Sequence, residues 1–233
     1  MEKKIGRAYT DLPWHYDKGE EVSVVFRTDR EALEPLLPPV LDLPDGPGLG
    51  VLSAVHHVRS TFGPYVGVYL GALARYDGQT VLHRLTGMKT SFPGTVAGRE
   101  AWGMPLQVGE ASMAWDGDVL TVVAGRHGQD FARLAVRLER RIEQPTRRFT
   151  ASTSLARRPA WEGAGKQNVL LGGRLEPADP NDMVFWTGTS VLKLVGGDPG
   201  DDWSILPVHE VLETNYNSGG HAALTGAYIL TEF

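Results

Sequence analysis

The stretch Gly98-Arg99-Glu100-Ala101-Trp102-Gly103-Met104-Pro105-Leu106-Gln107-Val108-Gly109 decides how the chain is read. It opens on a charged pair, turns through Gly103 and Pro105, and resumes as an extended run toward Glu110 and Ser112. Pro105 fixes its own φ and offers no backbone donor, which suits a strand start or a bend. A bend flanked by extended chain aims the next side chains, Leu106 and Gln107, into a cavity. Arg99 and Glu100, read as neighbours on a strand, face opposite sides of it.

Upstream, the polar segment 1–19 carries Trp14, His15 and Tyr16 near its end and reads as a cover across a barrel or a neighbouring subunit. Glu21 to Arg27 is rich in valine and alternates, as a strand does. Thr28 and Glu31 have capping-box spacing ahead of a short helical face, Ala32, Leu33, Leu36 and Leu37, which Pro38-Pro39 stops. Leu41 to Gly50 is a loop. Val51 to Arg59 reads as a buried strand with His56-His57 near its end. Tyr65 to Arg75 and Gln79 to Met88 form a hairpin about Asp77-Gly78. Glu110 to Trp115 and Asp118 to Ala124 form another about Asp116-Gly117.

Asp130 to Ile142 carries Phe131, Leu134, Leu138 and Ile142 at helical spacing, although Leu134, Val136 and Leu138 also alternate; the expectation is a helix ended by Pro145. Beyond it come strands at Arg148 to Leu155, Val169 to Leu175, Met183 to Leu194, His209 to Tyr216 and Ala222 to Phe233. Many short strands and one or two helices describe a mainly-β, α+β fold, with residues 1–233 as a single domain.

The 233 residues are 42% apolar with a net charge of −5, enough for one core and wrong for a nucleic-acid surface. The arginine patches at 137, 140–141, 147–148 and 157–158 read as solvated surface. No window has the ~18 apolar residues of a membrane span. Met1-Glu2-Lys3-Lys4 leads into no apolar signal core, so a cytoplasmic location is the expectation. With no cysteine, thiolate catalysis and disulfides are excluded.

Three motifs occur in an order that resembles the acetoacetate decarboxylase family. They are Val24-Val25-Phe26-Arg27-Thr28-Asp29 with Ala32-Leu33 and Pro38-Pro39, the Gly98–Gln107 stretch, and Trp186-Thr187-Gly188 with Leu206-Pro207-Val208-His209-Glu210. In that family Gly-Arg-Glu leads to a proline and two lysines. One lysine forms a Schiff base with a β-keto acid, and its neighbour lowers the first one's pKa. The resemblance implies a closed, cone-shaped β-barrel with a central pocket, and homo-oligomers. This chain has Leu106 and Gln107 where the family has lysines, and neither condenses with a carbonyl. Gly19 and Gly67 stand where the family carries an arginine and a pocket glutamate. What the resemblance implies is the scaffold without the decarboxylase chemistry.

Gln107 is then the first candidate, able to hold or polarise a carbonyl without attacking it, or else a structural glutamine. Glu100 is a general acid or base, or an ion-pairing anchor. Of His56 and His57, alternation sends one inward, as general base or as a hydrogen-bonded barrel histidine. Trp102, Met104 and Leu106 suggest an apolar wall, with Tyr65, Arg99 and His57 as further substrate contacts. Lys89 reads as an exposed lysine, although a buried amine there would restore imine chemistry from another wall. Lys166 and Lys193 read as exposed. His209-Glu210 and Tyr216 are as ambiguous as the histidine pair. No spacing fits a metal and no motif cradles a phosphate, so neither metal nor cofactor is expected.

The expected function is a non-covalent cyclase, dehydratase or isomerase acting on a polyketide-like or keto substrate in bacterial specialised metabolism. The alternatives are a non-catalytic ligand-binding barrel and a Schiff-base lyase using Lys89.

Overall fold

The computed structural model describes residues 8–144, 151–157, 168–176 and 183–233. The expectations for Arg147, Arg148, Arg158 and Lys166 lie outside them. The strands are β1 (Trp14–Thr28), β2 (Gly48–Ser60), β3 (Tyr65–Tyr76), β4 (Gln79–Lys89), β5 (Leu106–Val108), β6 (Glu110–Asp116) and β7 (Val119–Arg126). They continue as β8 (Gln129–Ile142), β9 (Ala151–Arg157), β10 (Asn168–Glu176), β11 (Met183–Leu194), β12 (Gly197–Asp198), β13 (Asp201–Asp202) and β14 (Glu210–Glu232). Among the described residues there are two α-helices, α1 (Arg30–Leu33) and α2 (Phe92–Trp102), and short 3-10 turns.

Seven strands close into a ring in the order β1-β2-β3-β4-β9-β10-β14, with β14 pairing back onto β1. Full closure removes the exposed edges that an open sheet must otherwise protect. β14 also pairs with β11, which leads on to β8, β7 and β6 as an outer layer. The chain is mainly β, as the sequence implies.

Alternation along the strands sorts the side chains between two spaces. Val22, Val24 and Phe26 of β1, Leu52 and Ala54 of β2, and Val68 and Leu70 of β3 point outward. They meet Leu120 and Val122 of β7 and Leu134 and Val136 of β8, so the main core lies between ring and outer layer. Burying one such side chain is worth about 1.5–3 kcal/mol. The opposite faces of β1, β2, β3 and β4 therefore look into the ring. Val25, Val51, Leu73 and Leu82 fill one end of that interior with an apolar cluster.

Three local expectations are corrected. Asp130 to Ile142 is strand β8, not a helix. His127 (φ 55°) and Gly128 (φ 73°) turn the chain tightly back onto β7, and Ala132, Leu134 and Val136 alternate into the core. That pattern outweighs the i, i+3, i+4 spacing. Arg99 and Glu100 lie on helix α2 rather than on a strand. The Ser91 hydroxyl caps it by accepting from the Gly94 N–H at 3.2 Å, Pro93 suits its first turn, and Gly103 ends it at φ 59°. Before α1 the capping residue is Asp29, whose side chain makes no cap bond, so the Thr28–Glu31 box does not form.

Candidate functional site

Strand β4 shapes the interior through a bulge. Leu70 of β3 pairs with Thr86 and Gly71 with Arg84, which leaves Leu85 unpaired. Arg84 and Lys89 are an odd number of residues apart and would otherwise face opposite sides; the extra residue puts both inside. Thr86 and Met88 then face outward, Thr86 bonding to Asp201 at 2.6 Å and Met88 joining the main core.

Lys89 is 5% exposed, which corrects the expectation of a solvated lysine. Its Nζ donates to the Gly94 carbonyl of α2 at 3.0 Å and lies 5.3 Å from the centre of the Tyr65 ring. Burial first, and then the Arg84 cation, lower its pKa to about 8. Helix α2 thus lies at the end of the ring away from the apolar cluster. Ser154 of β9 donates to the Trp102 carbonyl there, and Trp102 packs with Trp14 and Ala97.

Around the amine are Tyr65, Tyr69, Tyr16 and His57. The Tyr65 and Tyr16 rings lie 4.9 and 4.8 Å from His57. Burial raises the pKa of all three tyrosines, so each keeps its proton at neutral pH. Burial, then Lys89 and His56, lower His57 to about 4 and keep its imidazole neutral. Tyr65 and Tyr69 reach toward each other over Gly67, and a Cβ on Gly67 would sit 2.4 Å from the Tyr69 hydroxyl. A tyrosine oxygen occupies the space where the family resemblance puts a glutamate.

Arg84 donates from Nη1 to the Ser53 hydroxyl at 3.0 Å, and its guanidinium lies 5.1 Å from the Tyr69 ring centre. Its Nε has no hydrogen-bond partner. Protein surrounds Tyr69 and Arg84 on every side, yet both keep accessible surface. That surface lies on the inward faces of β3 and β4.

The structure divides the residues picked from sequence. Leu106, Tyr65 and His57 face inward. Leu106 (1% exposed) and the Lys89 amine flank the same point beside Gly98. Gln107 faces outward: its Nε2 donates to Asp201 Oδ2 at 2.6 Å, and its Oε1 accepts from Arg126, which is paired with Asp198. His56 also lies on the outer face, 4.0 Å from the Glu20 carboxylate. Glu100 is exposed and accepts from the Tyr9 hydroxyl at 2.9 Å, while Arg99 donates to the Leu106 carbonyl at 2.7 Å. Trp102 is buried in the cluster that Met104 packs against. Sequence reasoning passed over Arg84, Tyr16 and Tyr69 as site residues; Arg84 and Tyr69 lie on expected strands, whereas Tyr16, expected in a covering segment over 1–19, belongs to β1.

An open groove of about 440 Å³ lies elsewhere, between β8, β11 and β14, lined by Arg140, Thr187, Ser190, Glu213 and Asn215 among others. The ring interior, by contrast, gathers buried groups whose pKa values are shifted by burial and by one another. The interior is the better candidate on chemistry. No group of three or more His, Cys, Asp or Glu among the described residues is arranged to hold a metal ion.

The fold is a closed seven-stranded ring with an outer layer, and a buried amine faces its interior. The family model for acetoacetate decarboxylase matches residues 4–229, and the chain belongs to that family. Acetoacetate decarboxylase from Legionella pneumophila superposes with a TM-score of 0.85 at 18% identity, over 100% of this chain and 92% of that one. The enduracididine biosynthesis enzyme MppR complexed with pyruvate gives 0.77 at 19% identity, over 96% and 92% of the two chains. An acetoacetate decarboxylase-like enzyme from Sphingomonas wittichii gives 0.75 at 19%, over 96% and 94%. At these identities the likeness is one of fold. No curated protein matches in sequence.

Proposed function

We propose that this chain is an enzyme that forms an imine between Lys89 and the carbonyl of a small substrate, and that it uses the imine as an electron sink for lyase or dehydratase chemistry. The observation that carries this reading is the Lys89 amine, buried inside the ring, with its pKa lowered to about 8. Near pH 8 about half of such an amine is uncharged and nucleophilic. Arg84 supplies the like charge that a neighbouring lysine supplies in the family. The neutral amine attacks the carbonyl carbon and forms a C–N bond. The carbonyl oxygen takes a proton, with the buried tyrosine hydroxyls as donors, and then leaves as water. The resulting iminium accepts the electron pair of a bond broken beside it. Neutral His57 is placed to take a proton, and hydrolysis returns the lysine.

This reading displaces the expected non-covalent role for Gln107, whose amide is engaged outside the ring. The pyruvate complex of MppR supports a small oxo compound as substrate. Bacterial specialised metabolism, a cytoplasmic location and homo-oligomers remain parts of the proposal; light scattering at micromolar concentration tests the last. No helix among the described residues is long and apolar enough to cross a membrane.

The test is reduction with borohydride in the presence of pyruvate, acetoacetate or acetone, read by peptide mass spectrometry. An adduct confined to Lys89, with release of product or of carbon dioxide lost in Lys89→Met, supports the reading. Turnover without an adduct overturns it and returns the role to hydrogen-bond catalysis.

A further inference from the structure

Arg84 is harder to account for than Lys89. A guanidinium inside a protein is costly unless its charge and donors are met. Here Ser53 takes one of its donors, Nε has no partner, and Glu21 is the carboxylate that acts on it. Glu21 is itself shared, accepting from the Asn217 amide at 3.4 Å. The charge acting on Lys89 is the like charge of Arg84. Two cations therefore share one water-poor space, brought there by a single bulge.

We infer that Arg84 is the anchor for a substrate carboxylate, so that strand β4 holds both ends of a small oxo acid, the carboxylate on Arg84 and the carbonyl carbon on Lys89. This rests on Lys89 being the imine-forming amine, and it adds the residue that holds the substrate's carboxylate. A planar guanidinium held over the Tyr69 ring, with donors to spare, suits a carboxylate better than a point charge would. The anion also has an electrostatic consequence. Once it neutralises Arg84, the like charge opposing a cation at Lys89 is removed, and that favours the iminium over the free amine. A neutral ketone brings no such relief.

The experiment is reductive trapping on Lys89 with pyruvate and acetoacetate against acetone, in the unaltered protein, Arg84→Met and Arg84→Lys, with folding of each variant checked by thermal melting. In the unaltered protein an oxo acid should half-saturate trapping at a concentration at least tenfold below that of acetone. Arg84→Met should abolish that preference while acetone is still trapped, and Arg84→Lys should restore part of it. Equal half-saturation by oxo acid and acetone in the unaltered protein overturns the anchor and leaves Lys89 standing, with no variant needed. If no carbonyl is trapped at all, the Lys89 reading fails. Calorimetry of pyruvate on Lys89→Met then decides the anchor separately: saturable binding that the Lys89→Met/Arg84→Met double variant loses upholds it, and no binding overturns it.

Discussion

Strands β4 and β5 run side by side, with Gly87, Met88 and Lys89 paired to Leu106, Gln107 and Val108. On β5, where the family resemblance puts two lysines, the inward side chain is Leu106 and the outward one is Gln107. On β4 the inward side chains at the same level include Lys89, whose amine and Leu106 approach the same point beside Gly98. On the proposed reading, the reactive amine stands on the neighbouring strand and faces the same space as Leu106. A barrel interior is reached from every strand of its wall, so a functional group is defined by the volume it enters rather than by the motif it sits in. The outward partner makes the complementary point. Gln107, with Arg126, Asp198, Asp201 and Thr86, clamps β5 and the β12–β13 turn together, a structural role for a position the family uses chemically.

The sharpest way to break this contrast is to exchange the outcome of the two positions. Lys89→Met should lower turnover of the substrate by about a thousandfold, on the order of 4 kcal/mol of barrier, while Gln107→Ala should stay within about tenfold. Steady-state kinetics on both variants would reverse the assignment if Gln107→Ala were the worse of the two. Leu106→Ala comes next. It empties volume beside the amine, and chemical denaturation should show a loss of about 3 kcal/mol.

A smaller effect has the opposite sign. Lys89 titrates near pH 8 in the folded chain and near 10.5 when unfolded. Between those values the unfolded chain holds the proton that the folded chain has shed, so stability rises with pH across the window. At pH 7 the buried charge costs about 3 kcal/mol, offset by about 1 for the bond to Gly94. Lys89→Met should thus be more stable by about 2 kcal/mol at pH 7, with the gap closing by pH 10.5. A pH-independent gap in urea melts would mean the lysine is neutral, or solvated, throughout. Smallest is Gly67→Ala, whose methyl would meet the Tyr69 hydroxyl; about 1 kcal/mol of destabilisation and a displaced tyrosine pair are expected from melting and crystallography.

What could be read in advance follows from which signals are local. The hairpins about Asp77-Gly78 and Gly117 declare themselves through residues that accept positive φ, at 48°, 74° and 58°. The ring closes as the family motifs imply. Strand β8 resembles a helix in sequence because its outward charged residues, Arg133 and Arg137 among them, break the apolar run while Phe131, Leu134 and Leu138 mimic a helical stripe. The site was half legible. Tyr65 faces inward, but which of His56 and His57 does so, and which of Leu106 and Gln107, turns on strand pairing, which no local pattern reveals. The burial of Lys89 is not legible locally because the parity of β4 depends on the bulge at Leu85, and that bulge is a property of its pairing with β3.

One strand has a consequence for how the molecule is made. β14 pairs with β1, β10 and β11, so a single segment belongs to the ring and to the outer layer at once. All its partners precede it in the chain. On the ribosome, β1 to β4 can pair as they emerge, but the ring stays an open sheet with an exposed flank until β14 is synthesised. Its nascent form therefore carries unpaired strand edges over a long interval, and ring and outer layer join only when β14 is in place.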